Sequence, residues 1–123
     1  MRILVADDEE MIRELIRVTL SADERFEVAT AGDGVSAVRL VQEWVPDLVL
    51  LDVRMPGMTG VEVCQWVRDH ELAVQPRIIM LSAMTQTADI DAGLGAGADD
   101  YFTKPFSPMA LLGKVYEVAE VAA

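Results

Sequence analysis

The sequence predicts an α/β domain built on a parallel sheet. Three observations lead there. Short apolar runs alternate five times with amphipathic ones, which is the pattern of strands connected by helices. Ile3-Leu4-Val5-Ala6, Leu48-Val49-Leu50-Leu51 and the run closing at Leu81 are continuously apolar, as in strands covered on both faces. No linker or low-complexity tract interrupts the 123 residues, so a single domain is expected over 1–123.

The first apolar run stops at Asp7-Asp8. Met11, Leu15 and Val18, with Ile12, Ile16 and Thr19 beside them, then follow the i, i+4, i+7 spacing of an apolar helix face. Phe26 to Thr30 alternates more and suits an edge strand. Gly32-Asp33-Gly34 is a turn, and Val35 to Trp44 reads as a helix with Ala37, Val38 and Val41 inward, stopped by Pro46. Leu48 to Leu51 ends at Asp52. A loop, Met55-Pro56-Gly57-Met58-Thr59-Gly60, leads to a helix from about Val61 to His70. Arg77 to Leu81 is the fourth strand, Thr87 to Leu94 the next helix, and Asp100 to Thr103 a short fifth strand. Ser107-Pro108 opens the last helix with a capping hydroxyl and a proline at its first position. That helix runs to Ala119, with Leu111, Val115 and Val118 on one stripe and Leu112 and Ala119 beside it.

Composition narrows the function. The net charge of −11 opposes direct nucleic-acid binding, because affinity for a phosphate backbone rests on lysine and arginine. The longest stretch without a charge, Ile78 to Ala88, is 11 residues, short of the roughly 18 that span a bilayer. The N-terminus turns acidic too early for a signal peptide. Cys64 and His70 are each the only residue of their type, which excludes a disulfide and any multi-cysteine or multi-histidine metal site. A cytoplasmic domain without membrane contact is the plain expectation.

In an open parallel sheet, ligands gather outside the carboxyl ends of the strands. Those ends carry Asp7-Asp8, Asp52, Ser82 and Lys104. Each has a plain explanation alone; Asp8, for instance, could simply cap a helix. Together they suggest more. Three neighbouring carboxylates repel one another and recruit a cation, and an all-oxygen donor set suits Mg²⁺, with Mn²⁺ as a substitute. With Lys104 added, two positive centres would face Asp52, an arrangement fit for a carboxylate that accepts a phosphoryl group.

These residues resemble the receiver domain of two-component response regulators, of the chemotaxis-regulator and winged-helix-regulator kinds. The likeness rests on Ile3-Leu4-Val5-Ala6-Asp7-Asp8-Glu9, Asp52-Val53-Arg54-Met55-Pro56-Gly57-Met58-Thr59-Gly60, Leu81-Ser82-Ala83, Gly97-Ala98-Asp99-Asp100-Tyr101 and Lys104-Pro105-Phe106. It implies a flavodoxin-like (βα)5 three-layer sandwich with a central parallel five-stranded sheet of order 2-1-3-4-5. Asp52 would accept the phosphoryl group from a phosphohistidine on a sensor histidine kinase. Asp8, Asp7 (largely through water), Asp52 and the backbone carbonyl of Arg54 would hold Mg²⁺. Ser82 and Lys104 would each take a phosphoryl oxygen, Tyr101 would turn inward as Ser82 moves, and the Lys104-Pro105 bond would be cis. Such a domain is a regulatory module rather than an enzyme, and it controls an effector domain or protein. A phosphorylation-dependent homodimer through the fourth helix and fifth strand is also implied. The last helix departs from that pattern, with Met109 and Ala110 where charges are expected, leaving Asp99, Asp100 and Lys114.

Rival readings meet obstacles. A haloacid-dehalogenase-type phosphatase wants a second Asp two residues after the nucleophile, and Arg54 stands there. A flavin carrier wants a phosphate-cradling loop where Asp7-Asp8-Glu9-Glu10 is found. A degenerate receiver that takes no phosphate sits poorly with intact Asp52, Ser82 and Lys104. Other conspicuous residues read as structure: Cys64 as a small buried hydrophobe, His70 as a helix-end residue complementing the dipole, Trp44 and Trp66 as packing, and Met55 and Met58 as loop packing.

Arg54 and Met84 stand two residues beyond Asp52 and Ser82, near the path expected for a hydrolytic water. Neither offers a carboxylate or amide to orient that water, so a long-lived phosphoryl state is expected. Replacing Met84 with Glu and Arg54 with Asn should speed loss of phosphate in a decay assay; an unchanged rate would overturn this assignment.

Overall fold

The computed structural model describes residues 1–83 and 87–120. Five strands, β1 (Arg2–Ala6), β2 (Glu27–Ala31), β3 (Leu48–Asp52), β4 (Arg77–Ala83) and β5 (Asp100–Lys104), alternate with five helices. The helices are α1 (Glu10–Ser21), α2 (Gly34–Trp44), α3 (Gly60–Asp69), α4 (Thr87–Gly95) and α5 (Pro108–Ala119). All strands pair in parallel in the order β2-β1-β3-β4-β5. The order reverses between β1 and β3, and a crevice opens there at the carboxyl ends.

Alternation along the buried strands feeds two cores, because successive side chains leave opposite faces. Ile3, Val5, Leu48, Leu50, Ile79 and Leu81 meet α1 and α5 through Ile16, Leu20, Leu111, Val115 and Val118. Leu4, Ala6, Val49, Leu51, Ile78 and Met80 meet α2 and α3 through Ala37, Val41, Val63, Cys64 and Val67. Cys64 is buried and free, and burial pushes its thiol pKa up.

Capping follows the sequence closely. Ser107 Oγ accepts from Ala110 N at 3.1 Å ahead of Pro108. Asp33 caps α2 by accepting from Ser36 N at 2.7 Å. Thr59 and Glu62 form a reciprocal capping box at the start of α3. Gly60 is required there: a Cβ would come within 2.1 Å of the Asp52 carbonyl oxygen, so α3 seats directly on the end of β3. His70 is the C-cap of α3 and stacks on Trp66, with ring centroids 3.9 Å apart. Strand β2 begins one residue later than the sequence suggests, and β4 runs on to include Ser82 and Ala83.

One helix face is corrected. The stripe Met11, Leu15 and Val18 points to solvent, with Met11 85% and Val18 55% exposed, while Ile16 and Leu20 are buried. Both sets satisfy helical spacing; α1 docks on the sheet through the second. Met11 therefore sits on an apolar outer face that begins immediately after the acidic loop. Substituting Ile16 by Ala should destabilise the fold by about 2–5 kcal/mol, the range for deleting a buried branched side chain. Met11→Ala should stay within about 0.5 kcal/mol, as for ordinary surface changes. Urea denaturation of the two variants compares them directly, and equal losses would restore the first stripe to the core.

Candidate functional site

The site is built at the ends of β1, β3 and β5. Asp7 follows the last residue of β1, where its N–H donates to Ala31 O at 3.1 Å. Its side chain is fully buried. Asp52 closes β3 and is 7% exposed. Lys104 closes β5, and its Nζ donates to Asp7 Oδ2 at 2.7 Å and to Asp52 Oδ2 at 3.3 Å, with Glu9 Oε1 at 3.9 Å. Lys104 reaches Asp52 from two strands away and Asp7 from three, and the Lys104-Pro105 bond that follows it is cis.

One carboxylate oxygen from each of Asp7, Asp8 and Asp52 lies within 4.8 Å of the others. A cavity of about 250 Å³ is lined by Asp8, Glu9, Asp52, Arg54, Ala83 and Lys104, while Asp7 is fully buried and does not line it. Asp8 is exposed and does not cap α1; Glu9 holds the cap position and makes no side-chain capping bond. The plain structural explanation of Asp8 therefore fails. Three clustered oxygen donors, two of them lining an open polar cavity with room for water, match the donor set of a small hard cation.

Electrostatics sets the character of Asp52. Burial, and then the charge of Asp7, push its carboxyl up to about 7, against the opposing pull of Lys104 and the Arg54 N–H. That N–H donates to Asp52 Oδ1 at 3.3 Å. For Lys104, burial works to lower the pKa, but the hydrogen bond to Asp7 and the charges of both carboxylates carry it above its ordinary value.

The other residues named from sequence lie as follows. Ser82 is buried on β4, one residue beyond the Leu81 that pairs with Asp52, and its Oγ donates to Ala83 O at 3.4 Å. Tyr101 lies on edge strand β5, 40% exposed. Met84 is outside the described residues. Arg13 was missed by the sequence reading. Its Nη1 donates to the Asp7 carbonyl oxygen at 2.7 Å. A signal was present, since a cation near a helix N-terminus opposes the dipole and needs another partner.

A parallel sheet of this order, with carboxylates and a lysine converging at one end, defines the class as a receiver domain. The response regulator receiver domain model matches residues 3–116, and the chain belongs to that family, the receivers of two-component systems. It is 45% identical over 114 residues to the DNA-binding response regulator MtrA of Mycobacterium tuberculosis, covering 93% of this chain and 48% of that protein. Identity to the alkaline phosphatase synthesis transcriptional regulatory protein PhoP of Bacillus subtilis is 41%, covering 99% of this chain and 51% of that one. The chain thus spans about half the length of these relatives. Among solved structures, the chemotaxis protein CheY4 of Vibrio cholerae superposes with a TM-score of 0.86 at 34% identity, covering 95% of this chain and 97% of that one. No helix among the described residues is long and apolar enough to cross a membrane.

A pH dependence follows from Asp52. Its folded-state pKa lies above the unfolded value near 4, so the native state keeps a proton that the unfolded chain has released. The associated stability is complete below about 4 and is lost as pH rises through about 7. Without divalent cations, Asp52→Asn should therefore melt above the unsubstituted protein at pH 8, with the gap closing toward pH 4. Melting temperatures across that range in chelator measure it, and a gap independent of pH would locate the cost elsewhere.

Proposed function

We propose that this domain is a phosphoryl-accepting switch with Asp52 as the acceptor. The observation that carries the reading is the Lys104 ammonium placed between Asp7 and Asp52 at the mouth of an open cavity. In the transfer, an Asp52 carboxylate oxygen attacks phosphorus and the P–N bond of a phosphohistidine breaks, its electron pair leaving with the imidazole. Lys104 then pairs with the new phosphoryl oxygens, and Ser82 supplies a hydroxyl from β4. Asp7, Asp8 and Asp52, with the Arg54 carbonyl, would hold Mg²⁺ or Mn²⁺. The ion would neutralise charge on the transferring group.

The phosphodonor is a sensor histidine kinase in this reading, and the outward apolar face of Met11, Leu15 and Val18 offers a docking surface beside the acidic loop. Output passes through Ser82 and Tyr101 to the α4–β5 face and a downstream effector. A homodimer on that face would first have to open bonds within the chain. Asp100 pairs with Lys114 at 3.0 Å, and Asp99 with Arg68 at 3.0 Å.

Intact mass after incubation with acetyl phosphate and Mg²⁺ tests the acceptor. One added phosphoryl group, absent in Asp52→Asn, is the expected result. No gain under saturating donor, with Mg²⁺ shown to bind, favours a degenerate receiver or one that depends on its kinase, and phosphotransfer from a kinase panel separates the two.

A further inference from the structure

We infer that Arg13 is a positioning residue for the cation site, acting on the peptide plane that joins Asp7 to Asp8. The inference rests on the reading that the acidic cluster binds a divalent cation. Asp7 and Asp8 are consecutive, and the orientation of the amide between them sets where both carboxylates point. The Asp7 side of that amide is held firmly. Asp7 N–H is bound by Ala31 O, Oδ1 accepts from Glu9 N at 3.0 Å, and Oδ2 accepts from Lys104. What fixes the amide itself is its carbonyl oxygen, and Arg13 Nη1 donates to that atom at 2.7 Å from the first turns of α1.

Space for this contact comes from a missing side chain. The guanidinium lies against Gly32, where a Cβ would approach Nη1 to 3.1 Å and Cζ to 3.5 Å. Arg13 thus bridges from α1 across Asp7 to the loop after β2. Its charge and its hydrogen bond make opposite predictions. A cation near three carboxylates opposes the arrival of a second cation, so charge alone would make its removal tighten Mg²⁺ binding. Loss of a group that orients ligands weakens binding instead, typically by tenfold or more.

Calorimetric titration with Mg²⁺ at constant ionic strength separates these, with Mg²⁺-free melting temperatures recorded beside it. Arg13→Met should weaken Mg²⁺ binding by about tenfold. Arg13→Lys, which keeps a donor, should recover part of the loss. Gly32→Ala keeps every charge but crowds the guanidinium, and should weaken binding in the same direction; it also serves if Arg13→Met fails to fold. Binding that is unchanged or tighter in Arg13→Met, or in Gly32→Ala should that variant alone fold, overturns the proposal and leaves Arg13 a brace for the fold. Absence of Mg²⁺ binding in the unsubstituted protein overturns the cation-site reading, and this inference with it.

Discussion

One ammonium between two buried carboxylates governs the architecture of this domain. Asp7 is wholly buried and Asp52 nearly so, and a buried charge is tolerated only when paired and hydrogen-bonded. Lys104 supplies the pairing from the far edge of the sheet, on a stem long enough to cross from β5. The contact requires β5 to end level with β4, and the pairing of Ala83 with Lys104 places it there. The compensation is incomplete. Asp52 retains a raised pKa because desolvation and the charge of Asp7 exceed the help it receives. A site left short of positive charge in this way favours the arrival of a cation.

Sheet topology explains why these groups meet. With β1 and β3 adjacent at the point where strand order reverses, their terminal residues share one crevice. Gly60 lets the N-terminus of α3 press onto the Asp52 carbonyl, so the loop after β3 leaves the sheet close to the site. Helices α1 and α5 close one face of the sheet and α2 and α3 the other. The carboxyl ends are left as the polar opening.

Helix α1 shows how far sequence periodicity reaches. Met11, Leu15 and Val18 form one apolar line, and Ile12, Ile16 and Leu20 form another about a third of a turn away. Spacing recognises a helix in both cases and cannot choose between overlapping arcs. The choice falls to the path of the chain. Arg13 reaches back to the Asp7 carbonyl and toward Gly32, and with that side of α1 turned to β2 the second line faces the sheet. An apolar face is then left outside, next to the acidic loop.

Strand positions, helix ends and the acidic and basic residues of the site were legible in the residues alone. Buried parallel strands are continuously apolar, caps have side-chain signatures, and function gathers where an apolar run meets a charge. The grouping of Asp7, Asp8, Asp52 and Lys104 was expected from their place at the strand ends, and family likeness added the sheet order and the role of each. Neither source revealed that Lys104 lies closer to Asp7 than to Asp52, that Asp99 is held by Arg68, or that Arg13 grips the Asp7 carbonyl. Those contacts join residues from 6 to 97 positions apart through side chains whose reach is set by packing. Local sequence specifies which residues can form helices, strands and charges. Only the folded sheet decides which of them touch, because desolvation and distance act through space and not along the chain.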